Sequence, residues 1–149
     1  MKNLYLVLFG MLSAMTVRGQ ILKPVKWSYA TKITSKTTAT IYIKASMENG
    51  WHIYAQNLPS GGPTKTTISF TPSNGYALTG KTIEPKPISK YDDSFKMSVH
   101  YFEKSVIFQQ KINIKTSKLI VKGAASFMSC DQKRCLPEET VSFSIPLKS

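Results

Sequence analysis

The amino-acid sequence predicts an all-β protein, an immunoglobulin-like β-sandwich, from three observations. Apolar and polar residues alternate with period two over several stretches, clusters of Gly, Pro, Asn and Asp separate those stretches at short intervals, and no segment sustains a helical period. Seven or more short strands punctuated in this way favour a sandwich, with a small barrel as the alternative.

The order along the chain begins with a secretory signal. Lys2 gives a basic start, Leu4 to Met15 is a nearly unbroken apolar run, and Val17-Arg18-Gly19 offers small residues for cleavage. Residues 1–19 are therefore expected to be removed, leaving one domain over 20–149. The apolar run is too short for the roughly 20 residues that span a bilayer, and no later stretch approaches that length. No cysteine stands near the cleavage site to accept a lipid, so a soluble exported domain is expected.

Val25, Trp27 and Tyr29 begin the strand rhythm. In Thr37 to Met47 the residues Ala39, Ile41, Ile43, Ala45 and Met47 alternate with Thr40, Tyr42, Lys44 and Ser46, the pattern of a half-buried strand. Gly50 to Ala55 and Thr66 to Thr71 follow, separated by Pro59-Ser60-Gly61-Gly62-Pro63. The stretch from Glu84 to Met97 is the least regular, with Pro85, Pro87 and Asp92-Asp93 beside apolar Ile88, Tyr91 and Phe95. Val99 to Phe102, Ser105 to Ile114 and Lys118 to Met128 are further strands. Val141, Phe143, Ile145 and Leu147 alternate with polar residues in a last one.

About 130 residues can bury enough apolar surface to fold without covalent staples. Removing Lys2 and Arg18 with the signal leaves 18 basic against 8 acidic residues, a formal +10. The lysines are scattered singly from Lys23 to Lys148 rather than clustered on one arm, which argues against nucleic-acid binding and for solvated strand faces, with attraction to acidic partners or an anionic membrane surface as a secondary effect.

The chain has two cysteines, Cys130 and Cys135, on either side of Asp131-Gln132-Lys133-Arg134 and between two predicted strands. That spacing can bring the Cα atoms within the roughly 4.4–6.8 Å of a disulfide. Closing so short a loop stabilises by only about 2 kcal/mol, so a purely structural role would gain more from distant cysteines. Lys133 and Arg134 precede Cys135 and favour its thiolate, while Asp131 disfavours that of Cys130; on this asymmetry Cys135 is the attacking thiol and Cys130 the resolving one. An inert hairpin staple is the competing reading. Zinc is disfavoured because His52 and His100 do not complete the usual ligand spacing. Met128 with the two cysteines forms a soft set suited to copper, although loop packing accounts for Met128 more economically. No phosphate loop, nucleophile elbow or paired-carboxylate motif is present, and adjacent Asp92 and Asp93 are read as turn residues.

Three segments together resemble the N-terminal periplasmic domain of the thiol-disulfide interchange protein DsbD, the disulfide bond corrector family. They are Gly50-Trp51-His52-Ile53-Tyr54, Tyr91-Asp92-Asp93-Ser94-Phe95 running on to Phe108, and Met128-Ser129-Cys130 through Cys135-Leu136-Pro137-Glu138. The last is the most specific of the three. The resemblance implies an immunoglobulin-like fold with the cysteines on its rim, relaying electrons from a thioredoxin-like donor to oxidised exported proteins without a metal or organic cofactor. It further implies a cap loop that shields the disulfide. Phe95 matches the capping aromatic, Tyr91 lies in the same loop, Asp93 matches an acidic modulator of the cysteines, and Trp51 and Tyr54 match aromatic supports. Two departures stand out: Ser94 occupies a position often acidic in the family, and the best-known member has one more residue between its cysteines. The sequence stops at Ser149, so a membrane electron carrier and thioredoxin-like domains are expected to act in trans. The other reading of the chain is a non-catalytic binding module with a structural disulfide, which presents its loops to a partner or to a copper ion.

Overall fold

Alternating burial in the computed structural model, which describes residues 22–147, arranges those residues entirely as strands and connecting turns. The predicted signal lies outside the described residues. The strands are β1 (Val25–Ser35), β2 (Thr38–Met47), β3 (His52–Tyr54), β4 (Thr67–Phe70), β5 (Tyr76–Ile83), β6 (Ile88–Asp92), β7 (Met97–Glu103), β8 (Ser105–Ile114), β9 (Leu119–Phe127), β10 (Ser129–Cys130) and β11 (Glu139–Leu147). They form three antiparallel sheets in the orders β1-β2-β8-β5, β10-β3-β7-β6 and β11-β9-β4. Separate sheets packed on a shared core, rather than one closed barrel, make this the immunoglobulin-like sandwich that the alternation predicts.

All three sheets send their inward residues into one cluster. Ile41, Ile43 and Ala45 of β2 meet Phe108 and Ile112 of β8, Val121 and Phe127 of β9, and Ile53 and Phe102 of the second sheet. Trp27 stacks on Phe108 at 6.2 Å and tilts against Phe127 at 5.2 Å. Each fully buried large side chain contributes roughly 1.5–3 kcal/mol, so the alternation is enforced by burial on one side. Gly123 of β9 is required where β4 and β11 approach. A Cβ there would lie 2.2 Å from the Ser69 carbonyl oxygen and 2.4 Å from the Phe143 ring.

Three strands lie outside the sequence expectation: β5, β6 and β10. The stretch from Glu84 to Met97, read as irregular, contains the β6 edge strand and the turn into β7. Only Asp92 of β6 is even half-buried, so that strand has no apolar face to alternate. β5 is also an edge, with a register shift between Thr79 and Ile83. The side-chain amide of buried Gln110 fills this irregularity, donating to the carbonyls of Thr79, Gly80 and Lys111 while its oxygen accepts from the Thr82 hydroxyl. A strand carrying Gly80 at φ 70° and a bulge has no period to detect.

Candidate functional site

The site grows from a turn at the rim of the β10-β3-β7-β6 sheet. The Asp131 carboxylate accepts hydrogen bonds from the amides of Lys133 (2.7 Å) and Arg134 (2.8 Å), and the Asp131 amide donates to the Arg134 carbonyl. These bonds hold the Asp131 carboxyl below the usual carboxylate range. Leu136 then donates to the Ser129 carbonyl at 2.9 Å. Cys130 and Cys135 thus face each other as a non-hydrogen-bonded antiparallel pair, the class in which side chains are closest. They are joined by a disulfide, with Cα atoms 4.0 Å apart, closer than the spacing expected from sequence.

The two sulfurs have different environments. Cys130 is 1% exposed, whereas Cys135 lies on the exposed side of the turn. Cys130 pairs with His52 of β3, His52 pairs with Glu103 of β7, and Tyr54 pairs with Tyr101. Directly opposed residues project to the same side of a sheet, so Cys130, His52, Tyr54 and Tyr101 share one face while Ile53 and Phe102 fill the main core. On that face Cys130, Tyr54 and Val99 form a small buried cluster, covered by Leu58, Met97, Tyr101 and Met128. Met128 therefore packs, as its place in the sequence suggests.

Two polar side chains are aligned on the buried sulfur. The Tyr54 hydroxyl donates to Cys130 Sγ at 3.5 Å, and His52 Nε2 lies 3.4 Å from the same hydroxyl. Burial, with a smaller contribution from the Asp92 charge, pushes the Tyr54 phenol up to about 12. Burial also pushes His52 below its ordinary value, opposed by Glu103, Asp92 and Asp131 and assisted by Lys90. At neutral pH the phenol accordingly keeps the proton it donates to sulfur, and the imidazole is neutral.

The other sequence candidates fall at varying distances from this cluster. Trp51 is buried in the main core, and the Arg134 guanidinium sits 6.0 Å above its ring, linking the core to the cysteine turn. Phe95 is half-buried in the turn between β6 and β7. The Asp92 carboxylate ties that turn by accepting from the amides of Ser94 (2.8 Å) and Phe95 (3.3 Å), and Lys96 closes it at φ 53°. Asp93 is exposed in the turn. Tyr91 is 56% exposed and opposes Ser98, one residue out of phase with Val99, so it projects from the opposite face to Cys130. His52, Asp92, Leu58 and Met97 were not among the sequence candidates. His52 and Tyr54 are two residues apart on one strand, and that period was the available signal. Among the described residues no three His, Cys, Asp or Glu side chains converge as metal ligands.

A sandwich that carries one buried and one exposed sulfur of a short disulfide at its rim has the build of an immunoglobulin-like thiol–disulfide exchange domain. A family model described as thiol:disulfide interchange protein DsbD, N-terminal, matches residues 18–147, and the chain belongs to that family. Among solved structures, the reduced DsbD N-terminal domain of Neisseria meningitidis superimposes with a TM-score of 0.55 at 14% identity, covering 81% of this chain and 86% of that one. The complex of the Neisseria meningitidis DsbD and PilB N-terminal domains gives 0.56 at 14% identity, over 85% and 88%. The N-terminal periplasmic domain of ScsB from Proteus mirabilis gives 0.57 at 17% identity, over 87% of this chain and 49% of that one. At these identities the structures share the fold. No curated protein matches the sequence. Among the described residues no helix is long and apolar enough to cross a membrane.

Proposed function

We propose that this chain is an exported, periplasmic relay domain that passes electrons from a thioredoxin-like donor to oxidised exported proteins through Cys130 and Cys135. The observation that carries the reading is the burial asymmetry of the disulfide, 1% for Cys130 against an exposed Cys135. A donor thiolate reaches Cys135 Sγ; a donor–Cys135 bond forms, the Cys130–Cys135 bond breaks, and the electron pair leaves on Cys130 Sγ beside the Tyr54 hydroxyl. The donor's second thiolate then displaces Cys135, leaving the donor oxidised and this pair reduced by two electrons, with two protons taken up. In the forward step the Cys135 thiolate attacks an acceptor disulfide. Cys130 then resolves the mixed disulfide and restores the starting bond.

The exposed, cationic side of the turn, Lys133 and Arg134, favours the Cys135 thiolate. Phe95 and the turn tied by Asp92 act as the cap, with Asp93 an acidic neighbour and Trp51 and Tyr54 shaping the surroundings, whereas Tyr91, on the opposite face, has no part in them. Fold support for a thioredoxin-like partner comes from the similarity to the DsbD domain solved with PilB. A membrane electron carrier completes the relay. No metal or cofactor enters these steps.

The test is a trapping experiment. Cys130→Ser should accumulate a mixed disulfide with a thioredoxin-like partner, because the resolving thiol is gone, and Cys135→Ser should not. The reverse pattern, or a reduction potential below about −300 mV where structural disulfides lie, would overturn the reading.

A further inference from the structure

The outer face of the β1-β2-β8-β5 sheet carries lysine without carboxylate. Ile41, Ile43, Phe108 and Ile112 point into the core, so the intervening residues point outward. The pairing register places Ala30, Tyr42, Gln109 and Ile83 in one row across all four strands. Ser28, Lys44 and Ile107 form the next row on one side, with Lys26 beyond it, and Lys32, Thr40 and Lys111 form the row on the other. Ile83 is 57% and Ile107 41% exposed at the centre of this pattern. The two ion pairs among the described residues are Lys23–Glu139 and Arg134–Asp131, so none of the four lysines is paired. The outer face of β11-β9-β4, by contrast, is mostly Ser and Thr with Lys122 as its one lysine.

We propose that this face docks on an anionic phospholipid bilayer. Four strands at about 4.8 Å spacing present a broad sheet, with cations in the rows about 7 Å to either side of the central row that holds Tyr42 and Ile83. Lysine stems carry their ammonium groups outward to phosphate level while Ile83, Ile107 and Tyr42 meet the interface. Nucleic acid fits less well. Its phosphates are held best by the bidentate guanidinium, and the single arginine among the described residues, Arg134, lies at the cysteine turn. The face shares no strand with the sheet that carries Cys130, so docking leaves the cysteine rim free.

The test is co-sedimentation of the full chain with vesicles of phosphatidylcholine and phosphatidylglycerol at a 7:3 ratio, against phosphatidylcholine alone. The apolar run at 4–15 is common to all variants, so the readout is the anionic-to-neutral partition ratio. A surface lysine contributes on the order of fivefold to partitioning, so Lys26→Gln, Lys32→Gln, Lys44→Gln and Lys111→Gln together should lower that ratio more than about a hundredfold. The isocharged control of Lys65→Gln, Lys86→Gln, Lys118→Gln and Lys122→Gln should retain most of it. Should the first set fail to fold by circular dichroism, Lys44→Glu with Lys111→Glu serves in its place. Equal losses in test and control sets, no preference for anionic vesicles, or tighter binding to a single-stranded oligonucleotide at equal salt would each overturn the proposal.

Discussion

Replacing Tyr54 with Phe removes one oxygen, and the location of that oxygen sets the consequence. The hydroxyl is 3.5 Å from Cys130 Sγ in a cluster where Cys130 and Tyr54 are 1% and 2% exposed. While the disulfide is intact the sulfur is neutral and the bond is weak. When a thiolate attacks Cys135, negative charge develops on Cys130, which no water reaches, and the phenol becomes the donor that stabilises it. A hydrogen bond to a charged group contributes roughly 1.5–3 kcal/mol. With part of that charge developed in the transition state, and about 1.4 kcal/mol per factor of ten in rate, Tyr54→Phe should slow reduction about tenfold. The assay is reduction of the folded, oxidised protein by excess dithiothreitol, with free thiols alkylated at timed intervals and counted. Thermal denaturation of the oxidised variant checks that the cluster is still packed. A rate within twofold of the parent, with an unchanged melting temperature, would refute the assignment of Tyr54 to the leaving sulfur.

Phe95→Ala should speed reduction by small thiols while leaving the fold intact; unchanged kinetics would remove Phe95 from the cap. Gly123→Ala forces a Cβ against a backbone oxygen and an aromatic ring, both held by flanking strands. It should cost about 3 kcal/mol, seen as a fall of roughly 10 °C in melting temperature. Stability should depend on pH at both ends of the range. The folded Tyr54 phenol is raised to about 12, so the unfolded chain loses that proton first. Its stabilisation is complete below pH 10 and is lost between about 10 and 12. His52 is lowered, so the unfolded chain gains its proton first, and its contribution is present above about pH 6.5 and lost as pH falls below. Denaturant titrations across pH should show both slopes, with Tyr54→Phe flattening the alkaline limb and His52→Gln the acidic one.

The long strands were legible in the sequence because each is buried on one side only. Ser105 to Ile114 has the same bounds in sequence and structure, and β2, β9 and β11 shift by one or two residues. β5, β6 and β10 were not legible. A bulged edge, an edge with no buried face and a two-residue strand carry too little apolar pattern to announce themselves. The cysteine turn was also readable, since Cys130, Asp131 and Cys135 are local in the chain and the turn is tied by its own amides. Of what surrounds Cys130, Tyr54 entered only through the family resemblance, as an aromatic support, and neither its contact with the sulfur nor the neighbouring His52 was readable. Tyr54 is 76 positions away and reaches the sulfur because β3 lies between β10 and β7. Period-two alternation is a local response to burial, and it determined the class of fold, while three short segments, most of all the one around Cys130 and Cys135, carried the likeness to the DsbD N-terminal family. Strand neighbours are set by the packing of the whole chain. Only that packing decided that Cys130 is buried against Tyr54 and His52, that Cys135 is exposed, and that four scattered lysines share one face.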